Sequence, residues 1–166
     1  TLYTQRYEKL ILQTKTEFGF LGAYNNDRGL VPFERFFVGG DGLGAFALDG
    51  RDIIRMRGYD NSALTNSADG DTVYNKFSLE LRYPISLEQA ASIYVLTFAE
   101  AAGSYETFRS YNPFDVQRSA GAGLRIFMPA FGLLGVDFGY GFDSIPNALT
   151  NDPSGWNVHF IIGQQF

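Results

Sequence analysis

The sequence lacks three features that would point to common protein classes. It has no cysteine and one histidine, and its apolar runs are shorter than the about 20 residues that a membrane-spanning helix needs. Without cysteine there is no disulfide, no thiolate nucleophile and no cysteine-bound metal. A helical membrane protein is thereby excluded, whereas a membrane β-barrel is not, because its strands spread apolar residues over alternate positions.

The balance of charge and the scarcity of histidine narrow the choice of function. The net charge of −5 leaves no basic stripe to neutralise phosphates, so we expect no nucleic acid among the partners. His159 is the only histidine, and we expect it to be a polar filler on the last strand. No nucleophile, base and orienting group can be assembled around it, and no phosphate loop or metal cluster is present. We therefore predict that the chain is not an enzyme and binds no cofactor or metal.

What the chain has in abundance is aromatic residues and glycine. Aromatic residues make up 16% of the sequence, and 19 residues are glycine. Aromatic side chains favour strands, and this much glycine disfavours helices. The composition therefore predicts an all-β protein.

Bulky apolar residues recur at every second position, which indicates β-strands. We predict six of them, at about 8–24, 73–84, 91–103, 116–128, 132–143 and 155–166. In the clearest, 132–143, Leu134 and Phe138 fall on one face and Asp137 on the other. Each segment has about the 9–11 residues that a tilted strand needs to cross a bilayer.

The loops and faces of these strands favour a membrane barrel over a soluble β-sandwich, which remains the alternative. Long and short connections alternate, and residues 25–72 form the longest loop. Outer-membrane barrels have long loops outside and short turns on the periplasmic side. The polar faces are rich in glycine rather than lysine and glutamate, unlike an ordinary solvated surface. We therefore predict an antiparallel transmembrane β-barrel whose apolar face meets lipid.

Five segments, in order along the chain, carry a resemblance to a known family. They are "VPFERFFVGG" (31–40), "MRGYD" (56–60), "FSLELRYP" (77–84), "SAGAGLRIFMPAFGLLGVDFGYGF" (119–142) and "FIIGQQF" (160–166). Together they resemble the C-terminal half of the insertase of the surface-antigen family, which assembles bacterial outer-membrane proteins. The resemblance implies the last six strands of a sixteen-stranded barrel, with 25–72 as a long extracellular loop. Six strands cannot close a barrel, so we expect the missing strands and the periplasmic repeats before Thr1.

The resemblance also implies a site inside the barrel. Its loop motif corresponds to Arg57, Gly58 and Tyr59, and its inner-wall partners to Glu80 and Glu100. Both carboxylates fall on the polar faces of their strands, where a bridging guanidinium would be held by charge-assisted hydrogen bonds. The alternative is that Arg57 is a solvated loop charge and Glu80 pairs with a lysine across the sheet.

Other loop acids leave further questions open. Between "VGG" and "RGY" the loop carries "DGLGAFALDGRDIIRM", a longer stretch than the family pattern implies. Asp41 and Asp52 in this stretch could compete for Arg57. The "DGD" at 69–71 could suggest calcium, but we expect these acids to be solvated.

The terminal strand resembles the recognition signal of outer-membrane proteins, in which alternate aromatic residues add to a sheet edge. The residues concerned are Trp156, Phe160, Gly163 and Phe166. Gly163 matches a family glycine at which the last strand bends away from the first, and glycine weakens strand pairing locally. The alternatives are that this is simply the last lipid-facing strand and that Gly163 makes room for an aromatic neighbour.

The function implied is the folding and insertion of β-barrel proteins into the bacterial cell outer membrane. The implied partners are unfolded outer-membrane proteins as substrates, the assembly-complex lipoproteins, and outer-membrane lipid and lipopolysaccharide. The alternatives are a related family transporter, of the two-partner secretion or TamA type, and a passive outer-membrane pore.

Overall fold

The computed structural model describes residues 2–7, 9–22, 35–42, 52–88, 91–129, 132–146 and 148–163. The strands are β1 (Leu2–Tyr7), β2 (Leu10–Phe20), β3 (Phe36–Val38), β4 (Asp52–Ile54), β5 (Val73–Leu87), β6 (Ser92–Tyr105), β7 (Gln117–Met128), β8 (Gly132–Ser144) and β9 (Pro153–Gly163). In the described part of the chain the only helical element is one 3-10 turn at Phe108–Ser110. No helix in these residues has the length and apolarity to cross a membrane.

Seven strands form one sheet in the order β1-β2-β5-β6-β7-β8-β9, and every pair in it is antiparallel. This confirms the all-β antiparallel fold class, but the prediction of six strands is short by one. The missed strand is β1, which pairs with β2 through partners such as Leu2 and Thr14. Its sequence, "LYTQRY", has no face that is apolar throughout, so it lacks the alternation by which the other strands were found.

The two faces of the sheet have opposite environments. On β8 the Phe138 side chain is 51% exposed, whereas the neighbouring Asp137 is 0% exposed. On β5, Phe77 and Leu79 are likewise exposed, and Glu80 is buried. A soluble antiparallel sheet buries its apolar face and exposes the polar one. The predicted orientation, with the apolar row outward and the polar row inward, is therefore confirmed for these strands.

The described residues of the connection between β2 and β5 contain regular structure, which the predicted long loop did not include. Within it, β3 and β4 pair in parallel, and Gly40 and Met56 form an isolated bridge. The buried residues of a small core connect this segment to the inner face of β6: Val38, Met56, Tyr59, Leu64 and Ala102. This core was not predicted, because its apolar residues are scattered through the loop without a period. The core places the segment that contains Arg57 against the polar face of the sheet.

Candidate functional site

Arg57 binds carboxylates on two neighbouring strands. Its Nη1 donates to Glu80 Oε2 on β5 at 3.0 Å, and its Nη2 donates to Glu100 Oε1 on β6 at 2.7 Å. The backbone N–H of Arg57 donates to the other oxygen of Glu100 at 3.0 Å. The strand register explains the meeting, because Ser78 lies opposite Glu100 and Glu80 opposite Phe98, which makes the carboxylates diagonal neighbours on one face.

This contact is shielded from water. The side chains of Arg57, Glu80 and Glu100 are 11%, 9% and 3% exposed. The Arg57 guanidinium carbon lies 3.7 Å from the centre of the Phe98 ring, a cation–π geometry. Burial lowers the pKa of Arg57, but the attraction of nearby carboxylates, Glu100 foremost, outweighs it and holds that pKa above its ordinary value. Arg57 is therefore a permanent cation, and the carboxylates of Glu80 and Glu100 on the inner face of the sheet balance its charge.

Two further cations balance the same carboxylates. Lys76 Nζ lies 3.2 Å from Glu100 Oε1, and Arg82 Nε lies 2.5 Å from Glu80 Oε1. Lys76 also donates to the backbone carbonyl of Arg55, two residues before Arg57. The open alternative had Glu80 pairing with a lysine across the sheet, but in the structure its cationic partners are Arg57 and Arg82.

A second buried pair extends the cluster across β7 and β8. Arg125 binds Asp137 through two parallel hydrogen bonds of 2.6 and 2.7 Å, and both side chains are buried. Asp137 also accepts from Arg57 Nη1 at 3.4 Å. Sequence analysis placed Asp137 on the polar face of its strand but gave it no role, and it gave none to Arg125. The available signal was a base, Arg125, and an acid, Asp137, on the polar faces of adjacent strands.

Gly58, the second residue of the loop motif, contacts the sheet through its backbone. Its N–H donates to His159 Nε2 at 2.8 Å, and its carbonyl accepts from Asn157 Nδ2 at 3.0 Å. The φ of Gly58 is +84°, and a Cβ there would lie 2.9 Å from Ser119 Cβ and 3.0 Å from Gly141 N. Both the left-handed backbone and the lack of space therefore require glycine.

The glycine row of β8 makes the space for this contact. A Cβ at Gly139 would lie 2.7 Å from Gly58 N, and one at Gly141 would lie 2.5 Å from Gly58 O. The backbone of the loop at Gly58 thus lies directly against the backbone of β8 at Gly139 and Gly141. This gives a physical reason for glycine on the polar face, which the sequence showed but did not explain.

Tyr59 completes the motif in the small core. Its ring is fully buried, its hydroxyl donates to the Arg118 carbonyl at 2.9 Å, and the hydroxyl oxygen accepts from Asp143 N at 3.3 Å. Burial raises the pKa of Tyr59 to about 12, so the hydroxyl stays protonated. The structure thus brings together Arg57, Gly58 and Tyr59 with Glu80 and Glu100; their role in function stays a prediction.

The predicted residues of the last strand do not lie in this cluster. Trp156 and Phe160 point outward from β9 and are exposed, and Phe166 lies outside the described residues. Gly163 pairs opposite Leu133, and a Cβ there would meet only Leu133 Cβ at 3.8 Å. Gly163 is therefore not required for space here, and its predicted role in bending the strand stays a prediction.

His159 and the loop acids differ from the simplest expectations. His159 is buried and accepts the Gly58 N–H, so it holds the loop rather than merely filling space. Asp41, one of the acids that could compete for Arg57, instead accepts a hydrogen bond at Oδ2 from the backbone N–H of Phe160 at 3.2 Å. The side chain of Asp52, the other such acid, is not among those that the structure describes. Asp71 is buried and accepts from Asn66 N at 2.9 Å, so the prediction of a solvated acid is wrong there.

Comparison with known proteins gives the family. The model of the Omp85 superfamily domain matches residues 2–166. No curated protein matches the chain. Omp85 proteins are outer-membrane β-barrels that act in protein insertion or secretion and are not classical enzymes. The exposed apolar face, the buried polar face and a family match over nearly the whole chain agree, and the chain belongs to the Omp85 superfamily.

Proposed function

We propose that the chain is the C-terminal part of a BamA-type barrel, which folds and inserts β-barrel proteins into the bacterial outer membrane. The observation that carries the proposal is the loop motif bound to the inner face, with Arg57 held by Glu80 and Glu100. A passive pore works through an open, water-filled lumen, whereas a loop packed against the inner wall obstructs one.

The insertion itself involves no covalent chemistry. An unfolded substrate presents an extended strand, and its backbone pairs with the edge of β9 by β-augmentation. Gly163 near the end of β9 weakens pairing there, because glycine contributes no side chain to the sheet. A weak seam lowers the barrier for a new strand to pair and pass sideways into lipid.

The remaining assignments follow from this function. Residues 1–166 are the C-terminal portion of the barrel, and the connection between β2 and β5 lies on the extracellular side. Further barrel strands and periplasmic repeats of the same protein complete this machine. Its partners are the assembly lipoproteins, outer-membrane lipid and lipopolysaccharide, and unfolded outer-membrane proteins.

Depletion of the full-length protein in its bacterium separates a general insertase from a transporter of the two-partner secretion or TamA type. An insertase should lower the amounts of many outer-membrane barrel proteins at once, measured by mass spectrometry of outer-membrane fractions. Depletion of a barrel-free lipoprotein from the same membrane is the control for envelope stress. The loss of one secreted or assembled product alone would refute the insertase role.

Conductance separates an insertase from a passive pore. The full-length protein in a planar bilayer should give small or intermittent currents, since the docked loop obstructs the lumen. A large, steady, ion-selective current would favour the pore. Release of the loop by Arg57→Ala should raise the conductance, which links the current to the site.

A further inference from the structure

The outward face of the sheet is not level over β6 and β7. Directly opposite residues of an antiparallel sheet share a face, so the strand registers give the order of side chains across it. In two successive rows, small residues on β6 and β7 lie between larger ones on β5 and β8. The rows are Leu79-Ala99-Ala120-Tyr140 and Leu81-Thr97-Ala122-Phe138.

Two depressions, of about 710 and 340 Å³, follow one another along these rows. Arg118 and Ala120 line the first, and Ala122 and Leu124 line the second. Ligand pockets in proteins commonly have volumes of about 300–1,000 Å³. We call the two depressions together the outer groove; it begins at Arg118 and ends at Leu124.

The walls of the outer groove are complete within the described strands. Its floor is formed by β6 and β7, and these have β5 and β8 as their other neighbours in the sheet. Leu79 of β5 and Phe138 of β8, one on each side, are 46% and 51% exposed and stand above the alanines between them. Further strands of a barrel would join the sheet at its ends and would leave this part of the outward face unchanged.

The length of the outer groove corresponds to one leaflet of a bilayer. Arg118 and Leu124 are six residues apart on β7. At about 3.3 Å per residue the distance along the strand is about 20 Å. With a tilt of about 45° this covers about 14 Å of depth, close to half of the about 30 Å hydrocarbon core. The groove therefore has room along its length for an acyl chain of one leaflet.

A cation lies at one end of the outer groove. The Arg118 side chain is 66% exposed, and its Nε and Nη2 donate to Asp143 at 3.0 and 2.8 Å. Among the described residues, Nη1 of Arg118 has no hydrogen-bond acceptor. Tyr140 is opposite Ala120, two residues from Arg118, and its ring meets that of Trp156 edge to face at 5.4 Å. Tyr and Trp are enriched at membrane–water interfaces, which indicates that Arg118 lies at the depth of the lipid head groups.

We propose that the outer groove binds lipopolysaccharide, with one acyl chain between β5 and β8 and a phosphate of the lipid on Arg118. The inference rests on the proposed function, which puts the connection before Arg118 on the extracellular side, where the outer leaflet carries this lipid. It gives one partner of that function a defined site. A guanidinium binds phosphate by charge-assisted hydrogen bonds, and Nη1 is the donor for it.

The shape of the groove explains why a lipid would stay there. A chain on a level apolar face has protein on one side only, whereas a chain in the groove has protein below it and on both flanks. Each close pair of atoms adds a small dispersion energy, and these energies add up along the chain. Lipid in the groove is therefore held longer than lipid on the rest of the outward face.

Lipid titration of the full-length protein tests the proposal. The delipidated protein in mild detergent is titrated with purified lipopolysaccharide, and native mass spectrometry measures the fraction that carries one lipid, which gives the Kd. Ala120→Phe puts a ring where the chain would lie and should raise the Kd by about tenfold or more. If Ala120→Phe misfolds, Ala99→Leu fills the same groove and takes its place.

The head-group contact is tested separately. Arg118→Ala should raise the Kd by about three- to tenfold, because a charge-assisted hydrogen bond is lost. Arg118→Lys keeps the charge and should recover most of the affinity. Phosphatidylglycerol is the second probe, and it should bind more weakly than lipopolysaccharide.

Val158→Phe is the matched control. Val158 is 52% exposed on the outward face of β9 and does not line the groove. The variant adds the same ring as Ala120→Phe to the same face, so it should leave the Kd unchanged. Urea unfolding of each variant checks that the barrel is intact.

The outcomes separate this proposal from the proposed function. Equal Kd in wild type, Ala120→Phe and Val158→Phe would overturn the groove as a site, and so would an equal loss of affinity in both variants. Equal affinity for phosphatidylglycerol would overturn lipopolysaccharide as the occupant. Each of these results leaves the insertase function standing, because depletion of the protein tests that function independently.

Discussion

Asp137 and Phe138 are neighbours in β8, yet they lie in opposite environments. Asp137 is fully buried and bound by Arg125 and Arg57, whereas Phe138 is half-exposed on the other face. A strand of a soluble protein shows the same alternation, but it buries the apolar residues and exposes the polar ones, the opposite of what β8 does. The two-residue period of apolar side chains is therefore enough to identify a strand. The types of residue on each face then indicate whether that face meets lipid or the protein interior. One face holds paired charges, and the other presents exposed apolar side chains.

The largest effect is expected where the polar face loses its central cation. Arg57→Ala leaves Glu80, Glu100 and Asp137 short of a partner, and breaking a buried ion pair costs about 3–5 kcal/mol. Urea unfolding of the full-length protein in lipid vesicles should show this loss. Arg109→Ala, at an exposed arginine, should leave stability unchanged. Equal stability of the two variants would mean that the ion pairs of Arg57 contribute nothing measurable.

The next effect tests the apolar face. Phe138→Arg places a charge where we expect hydrocarbon, and a lipid-facing arginine near the bilayer midplane costs about 2–4 kcal/mol. Phe138→Leu, which keeps the site apolar, should cost far less in the same unfolding measurement. A fully tolerated Phe138→Arg would contradict the assignment of this face to lipid.

A smaller effect is expected at the backbone contact between loop and wall. Gly58→Ala forces a residue with a side chain to φ +84° against Ser119, which should destabilise by about 1–3 kcal/mol. Gly155→Ala is the matched control, since its φ is +81° but no atom lies within 4 Å of the added Cβ. The difference between the two variants isolates the close approach from the backbone strain. No difference would mean that the loop is not held at this distance.

The smallest effect is expected at the Tyr59 hydroxyl. Tyr59→Phe removes its hydrogen bond to the Arg118 carbonyl and should cost about 0.5–1.5 kcal/mol, whereas Tyr83→Phe on the outward face should cost nothing measurable. The pKa of Tyr59 is raised from 10.0 to about 12, so this contribution is complete below pH 10.0 and is lost as the pH rises towards about 12. Unfolding measured across that range should show a steeper decline in wild type than in Tyr59→Phe.

The sheet was largely predictable from the sequence, because a strand with two different faces requires apolar and polar residues to alternate along the chain. Phe138 and Asp137 show it most clearly, and the strand before them was found in the same way. β1 was missed because neither of its faces is apolar throughout. The parallel strands of the long connection were missed because each has three residues, too few for a period to be visible.

The site was only partly predictable, for a different reason. Arg57, Glu80 and Glu100 followed from the family resemblance and from their place on the polar faces. Asp137 and His159 also lay on polar faces, but their contacts depend on how far the loop reaches across the sheet. That reach is set by Gly58 resting on Gly139 and Gly141, a three-dimensional fit that spacing along the chain does not encode.

The ion pairs have a mechanical consequence. Their members come from β5, β6, β7 and β8, and Arg57 spans them from the loop. To shear these four strands past one another, opposite charges would have to separate in a place with little water. The network resists the sliding of these strands, so we expect bending beyond it, at β9, whose described contacts with the loop are hydrogen bonds.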